Sequence, residues 1–112
     1  MSAPQDITQS VRSHAEIATP QAARYLTQLC KHFQHKLPVT LEDGSGEISF
    51  SIGTCRLRAD AAVLTLSLEA ADAPHLDQVQ DVVARHLLRF AFRESLHIDW
   101  APPAAEPITP MK

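Results

Sequence analysis

The sequence predicts an α+β domain in which two helices cover one face of a mainly antiparallel β-sheet. Two amphipathic helical patterns are separated by short segments in which apolar and polar residues alternate. Alternation gives each strand one apolar and one polar face, which is typical of a sheet covered on one side only. The predicted order is β-α-β-β-β-β-α-β, a two-layer sandwich of two βαβ units joined by an inserted hairpin, related to the ferredoxin-like split βαβ arrangement.

Length and composition indicate a single globular domain. The chain has 112 residues, of which 45% are hydrophobic and 21% charged, and its formal net charge is −3. A negative chain offers no basic field for nucleic acid or an anionic membrane, and no apolar run approaches the roughly 18 residues that span a bilayer. We expect residues 12–100 to form the domain, with residues 1–11 as a disordered tail and 101–112 as a proline-rich tail.

The same composition favours a cytoplasmic protein. The N-terminus lacks the basic and apolar regions of a secretory signal. Cys30 and Cys55 both lie in apolar patterns, and the sequence favours buried, reduced thiols over a disulfide.

The first strand and the first helix follow one another directly. Residues 13–18 alternate as a short strand, and Thr19 and Pro20 then supply an N-cap and a first helical position. Pro38 ends the helix, which we expect to include His35 and Lys36. The apolar stripe of this helix consists of Ala22, Leu26, Leu29, Cys30 and Phe33.

Four strands are predicted next. Val39–Glu42 and residues 47–50 flank residues 43–46 (Asp-Gly-Ser-Gly), which is a strong hairpin signal. Residues 54–58 and 64–69 alternate in the same way. A second helix is expected over about residues 74–92, and residues 96–100 alternate as a last strand. The apolar stripe of the second helix consists of Leu76, Val79, Val83, Leu87 and Phe90.

The segment 22–36, AARYLTQLCKHFQHK, resembles the first helix of the bacterial DUF2218 family, whose members are domains of unknown function. The resemblance covers about residues 12–100 and includes Phe50, Gly53, Thr54, Cys55, residues 68–70, 82–87, 89–94 and 98–100. It implies no established activity, substrate or catalytic residue. Such domains occur beside, or fused to, flavin-dependent siderophore-interacting reductases, so the resemblance implies such a reductase as partner and a link to iron or siderophore utilisation.

The end of the first helix concentrates groups that can bind a ligand. His32 and His35 stand three apart, a spacing that brings two imidazoles to neighbouring positions on a helix and would suit one metal ion, with His86 as third ligand. With Lys31 and Lys36 the same histidines would form a small cationic patch for an anion. The structural alternative is that His32 and His35 are exposed helix-end residues and His86 is a boundary residue with one hydrogen bond.

The polar face of the sheet is the second candidate site. Arg56 and Arg58 lie two apart on one strand, where they could hold a carboxylate, and we expect His97 and Asp99 on the same face through the last strand. Such a face could act as a binding platform or a dimer interface. The alternative is a solvated surface of cross-strand charge pairs.

These observations favour a small non-catalytic binding or accessory domain. No nucleophile elbow, phosphate-binding loop or dinucleotide fingerprint occurs, and no cofactor is required by the sequence. The alternative is a structural or protein-interaction module that acts through its polar sheet face, as a homodimer or with another protein.

Overall fold

The α+β architecture is confirmed by the computed structural model, which describes residues 10–101. Two helices and five strands form in the order β-α-β-β-β-β-α. The elements are β1 (Val11–Ala18), α1 (Ala22–Phe33), β2 (Val39–Glu42), β3 (Ser45–Phe50), β4 (Gly53–Ala59), β5 (Val63–Ala70) and α2 (Ala73–Phe90). Most of the two predicted tails lies outside the described residues, although β1 already begins at Val11.

The five strands form one sheet in the order β1-β5-β4-β3-β2, and every neighbouring pair is antiparallel. Connections of two or three residues join β2 through β5 into a meander, which leaves the free edge of β5 for β1. Helix α1 therefore links strands at opposite edges of the sheet. Strands β1 and β2 run parallel, since four antiparallel pairings separate them, so β1-α1-β2 is one of the two predicted βαβ units. Its two strands do not pair directly, because the meander lies between them.

The predicted last strand over residues 96–100 is also absent from the described part of the chain. One residue pair joins this segment's end to the sheet: the His14 amide donates to the Ala101 carbonyl at 2.7 Å, and the reverse bond measures 2.9 Å. Leu96, Ile98 and Trp100 pack against the core, whereas His97 and Asp99 are exposed. The alternation correctly predicted which side chains are buried, but apolar packing here does not bring the backbone into register with β1.

Both helices lie on the apolar face of the sheet, and the core fills the space between the two layers. Burying one large aliphatic side chain contributes about 1.5–3 kcal/mol. The largest fully buried side chains are Ile17, Leu26, Leu29, Cys30, Ile48, Cys55, Leu64, Leu66, Leu68, Val79, Val83 and Leu87. The two cysteines are unbonded, as the sequence predicted.

The ends of α1 differ from the prediction. Thr19 does not cap the helix; its hydroxyl accepts from the Gln21 amide at 3.0 Å, and the helix begins at Ala22. The helix ends at Phe33, whose carbonyl accepts from the Lys36 and Leu37 amides at 3.0 and 2.9 Å. His35 and Lys36 therefore lie in the turn after the helix, not on it.

Helix α2 starts where the sequence indicates and stops two residues early. The carboxylate of Asp72 accepts from the His75 amide at 2.9 Å, which is a standard N-cap, and Pro74 occupies the first turn. The helix ends at Phe90, before the predicted residue 92.

One carboxylate ties the start of α1 to the turn after α2. Glu94 accepts from the Thr19 hydroxyl at 2.9 Å, and its other oxygen accepts a short hydrogen bond from the Tyr25 hydroxyl. These hydrogen bonds join residues far apart in the chain, so they hold the two helix ends together.

Helix α1 approaches β3 most closely at Gly46. A methyl group on Gly46 would lie 2.5 Å from the Cys30 sulfur and 3.3 Å from the Thr40 carbonyl oxygen. Cys30 is fully buried. Glycine is thus required here because the sulfur of α1 occupies the place of a β3 side chain.

We predict that Gly46→Ala lowers the free energy of unfolding by about 1–3 kcal/mol, the range typical of overpacked cores. Urea denaturation of the purified protein measures this. In a Cys30→Ala background the same substitution should be much less damaging, because the clashing sulfur is gone. An equal loss in both backgrounds would contradict the assigned contact.

We also predict that Glu94 raises the pKa of Tyr25. Burial raises that pKa most, and the hydrogen bond to Glu94 and its charge raise it further. Tyr25 is the chain's one tyrosine, so phenolate absorbance reports it alone. Glu94→Gln should lower the titration midpoint while burial keeps it above the ordinary value. Glu16→Gln, at an exposed position, serves as the control. An unchanged Tyr25 titration midpoint in Glu94→Gln would refute the hydrogen bond between Tyr25 and Glu94.

Candidate functional site

The imidazoles of His32 and His86 meet where the last turn of α1 crosses α2. Their ring centroids lie 4.8 Å apart, with the planes inclined by 47°. This contact corresponds to one of the two alternatives from the sequence, in which His86, three residues after Val83 at the edge of its helix's buried stripe, lies close enough to His32 to share a ligand.

Aromatic side chains support the pair. Phe33 lies 4.9 Å from each imidazole between ring centroids, and Phe90 lies 5.7 Å from that of His32. Phe33 also packs edge-on against Phe50 of β3, at 5.1 Å. The imidazoles therefore pack on an aromatic surface, formed by Phe33 and Phe90, that is continuous with the sheet through Phe50.

A backbone hydrogen bond fixes the His86 ring. Its Nδ1 lies 2.7 Å from the Val82 carbonyl oxygen. A carbonyl can only accept, so Nδ1 carries the proton and Nε2 of the neutral ring remains free as an acceptor. One alternative from the sequence gives His86 one such hydrogen bond, as a boundary residue that binds no ligand. The same bond also holds the ring in one orientation, as a ligand site requires.

Positive charge surrounds His32. Partial burial lowers its pKa most, and His86 and His35 in their protonated forms, together with the charges of Arg89 and Lys36, lower it further. We call these five residues the helix-end basic cluster. Arg89 and Lys36 form no ion pair among the described residues, so the cluster carries two cations that no nearby carboxylate compensates.

The structure brings together only part of the predicted histidine set. His35 follows the end of α1 and makes no ring contact with His32 or His86 among the described residues, and Lys31 is exposed on α1. Within residues 10–101, no three or more histidine, cysteine, aspartate or glutamate side chains are placed to hold a metal ion.

Sequence reasoning missed Arg89. Arg85 on the same helix pairs with Asp81 at 2.9 Å, whereas Arg89 has no ion pair among the described residues. The signal was present, because Arg89 follows His86 by three residues and so shares its side of α2.

The polar face of the sheet carries Arg56 and Arg58, where the alternation placed them. One row across all five strands reads His14, Ser67, Arg56, Glu47 and Thr40, and the next reads Glu16, Thr65, Arg58, Ser45 and Glu42. A hollow of about 660 Å³ lies over these rows. Arg56 reaches Glu47 at 3.8 Å, whereas Arg58 has no ion pair within the described chain.

His97 and Asp99 are not part of this face. They pair with each other at 3.1 Å and are 83% and 80% exposed. Because the last strand does not form, neither side chain joins the rows that contain Arg56 and Arg58.

The fold and its sites define a two-layer α+β domain with an open polar sheet and a basic cluster where its helices meet. Neither helix has the length and apolar character needed to cross a lipid bilayer. The chain belongs to the DUF2218 family, described as an uncharacterized protein conserved in bacteria, whose sequence pattern matches residues 14–101.

A solved structure supports the same assignment. The chain is 41% identical to the protein of the NMR structure of PA4090 from Pseudomonas aeruginosa, with a TM-score of 0.71 over 82% of this chain and 96% of that one. Among curated proteins, none matches the chain.

We predict that the pKa of His32 lies below the ordinary histidine value, as measured by NMR titration. His86→Gln should raise it by removing a positive neighbour, whereas the exposed His97→Gln should leave it unchanged. A His32 midpoint unaffected by His86→Gln would contradict the coupling.

The same depressed pKa makes a prediction for stability. A histidine whose pKa is lower in the folded state favours unfolding as the pH falls below its unfolded pKa of about 6.5. His32→Gln should therefore lose less stability than the wild type between about pH 7 and pH 5. Urea denaturation at both values measures this, and an equal loss in the two proteins would contradict it.

Proposed function

We propose that this protein is a small non-catalytic binding domain that takes an anionic ligand at the helix-end basic cluster. The observation that carries the proposal is the contact between His32 and His86, on a surface where the adjoining charges are all basic. The proposal develops the cationic patch predicted from Lys31, His32, His35 and Lys36. It leaves out Lys31 and adds His86 and Arg89.

Charge favours an anion over a bare metal ion. A divalent cation would add to the positive charge of Arg89 and Lys36, while an anion would offset it. The side chains also suit an anion chemically. The guanidinium of Arg89 and the ammonium of Lys36 donate without accepting, and His32 becomes a donor at both nitrogens when it is protonated.

The aromatic surface formed by Phe33 and Phe90 strengthens this binding. Phe33 and Phe90 exclude water from one side of His32, and electrostatic attraction is larger where water is excluded. Binding and protonation are then linked, because an anion favours the charged form of His32 and protonation of His32 favours the anion.

Iron or siderophore utilisation is the finer form of this proposal, with cytoplasmic location and a flavin-dependent siderophore-interacting reductase as partner. These points rest on the family resemblance. In this setting iron would arrive as a negatively charged chelate, since the cluster repels the free ion.

A second candidate function is a protein-interaction module that uses the polar sheet face, as a homodimer or with another protein. The observation that favours it is the hollow over the sheet, where Arg58 lies between Ser45 and Thr65 without an ion pair among the described residues. Charge reversal at Arg56 and Arg58 would break such a dimer, which a size-exclusion mass reveals.

Titration with inorganic phosphate, followed by NMR, tests the proposed function. Phosphate should raise the pKa of His32 and shift the amides around Phe33 and His86. Arg89→Gln should weaken the affinity about fivefold, the effect of losing one charge-assisted contact on a partly exposed surface.

Arg58→Gln is the matched control, because it removes a guanidinium from the opposite layer. Unchanged phosphate affinity in Arg89→Gln would contradict the proposal. Loss of phosphate binding in Arg58→Gln alone would instead indicate that the anion binds on the polar sheet face.

A further inference from the structure

A second hollow lies where the start of α1 meets the turn after α2. Its volume is about 500 Å³, which is within the range of small-molecule sites. Its lining combines aromatic rings with charged groups from both helix ends: Arg24, Tyr25, Phe90, Phe92, Arg93 and Glu94.

Phe92 leaves an apolar ring open to water at this hollow. Phe92 is 74% exposed, which is the largest exposed fraction among the large apolar residues of the described chain. The guanidinium carbon of Arg93 lies 5.4 Å from the ring centroid, so cation and ring already present a combined surface. An exposed aromatic ring that lines a hollow is a suitable contact for an apolar ligand.

The hollow also holds guanidinium groups that the protein itself does not pair. Within residues 10–101, neither Arg24 nor Arg93 forms an ion pair, although Glu94 lines the same hollow. Glu94 is engaged by the hydroxyls of Thr19 and Tyr25 instead. Both arginines therefore remain available to a carboxylate from outside.

We propose that this hollow binds an aromatic carboxylate. The carboxylate would pair with the guanidinium groups of Arg24 and Arg93, which recognise such groups with two parallel hydrogen bonds. The ligand's ring would pack on Phe92 and Phe90, which supply offset or edge-on aromatic contacts. Glu94 repels the carboxylate and so directs it toward the arginines.

This site is separate from the helix-end basic cluster, although Phe90 contacts both. The cluster offers imidazoles, the guanidinium of Arg89 and the ammonium group of Lys36 to a compact anion. The hollow requires a ring and a carboxylate in the same molecule, because neither its aromatic nor its charged lining is sufficient alone.

NMR titration with 3-phenylpropionate tests the proposal. We expect it to shift amides in residues 21–25 and 90–94. Propionate lacks the ring and 3-phenylpropanamide lacks the charge, so each should bind about tenfold more weakly or worse. Equal affinity for 3-phenylpropionate and either analogue would overturn the proposal.

Variants locate the site. Phe92→Ala and Arg93→Gln alter exposed side chains, so the fold should persist, as circular dichroism will show. Each should weaken the affinity for 3-phenylpropionate about fivefold. Arg12→Gln, an exposed arginine of β1, is the matched control and should have no effect. Unchanged affinity in both hollow variants would refute the assignment.

The experiment also separates this site from the phosphate site. Phosphate should neither displace 3-phenylpropionate nor lose affinity in Phe92→Ala. Shifts confined to His32 and His86 would refute the carboxylate site and leave the proposed function standing. Binding in the hollow without any phosphate effect on His32 would support the carboxylate site and contradict the proposed function.

Discussion

The depth at which α1 lies on the sheet determines the position of both candidate sites. Helix and sheet come together at Gly46, where the missing side chain leaves room for the sulfur of Cys30. This contact places one end of α1 beside α2, so that His32 meets His86. At the other end it allows Tyr25 to reach Glu94. A bulkier residue at position 46 would lift the helix and disturb both ends.

Charge is distributed unevenly over this frame. The chain as a whole is negative, with a formal charge of −3, yet six of its ten lysines and arginines belong to α1, α2 or the turns that follow them. On the sheet, Arg12 and Arg56 are paired with glutamates. Between the helices, Arg89 and Arg93 have no such partner in the described chain. Unpaired positive charge next to aromatic rings is the feature that both ligand proposals share.

Local patterns predicted five strands, both helices and the buried stripes, because side-chain alternation and helical spacing report directly on burial. They also predicted a sixth strand over residues 96–100 that does not form. For His32 and His86 they left two alternatives open, a shared site or separate exposed residues. They failed for His35, since a hydrogen-bonded turn ends α1 at Phe33. They could not show the aromatic hollow, because it depends on contacts between Tyr25 and Glu94, which stand 69 residues apart.

The central claim is that uncompensated positive charge makes the helix-end basic cluster an anion site. The pKa of His32 in the variant Arg89→Glu, measured by NMR with and without phosphate, tests it most directly. A carboxylate placed there should raise this pKa above the wild-type value, and phosphate should then leave it unchanged. A His32 pKa that stays low in Arg89→Glu, and still rises when phosphate is added, would contradict the claim.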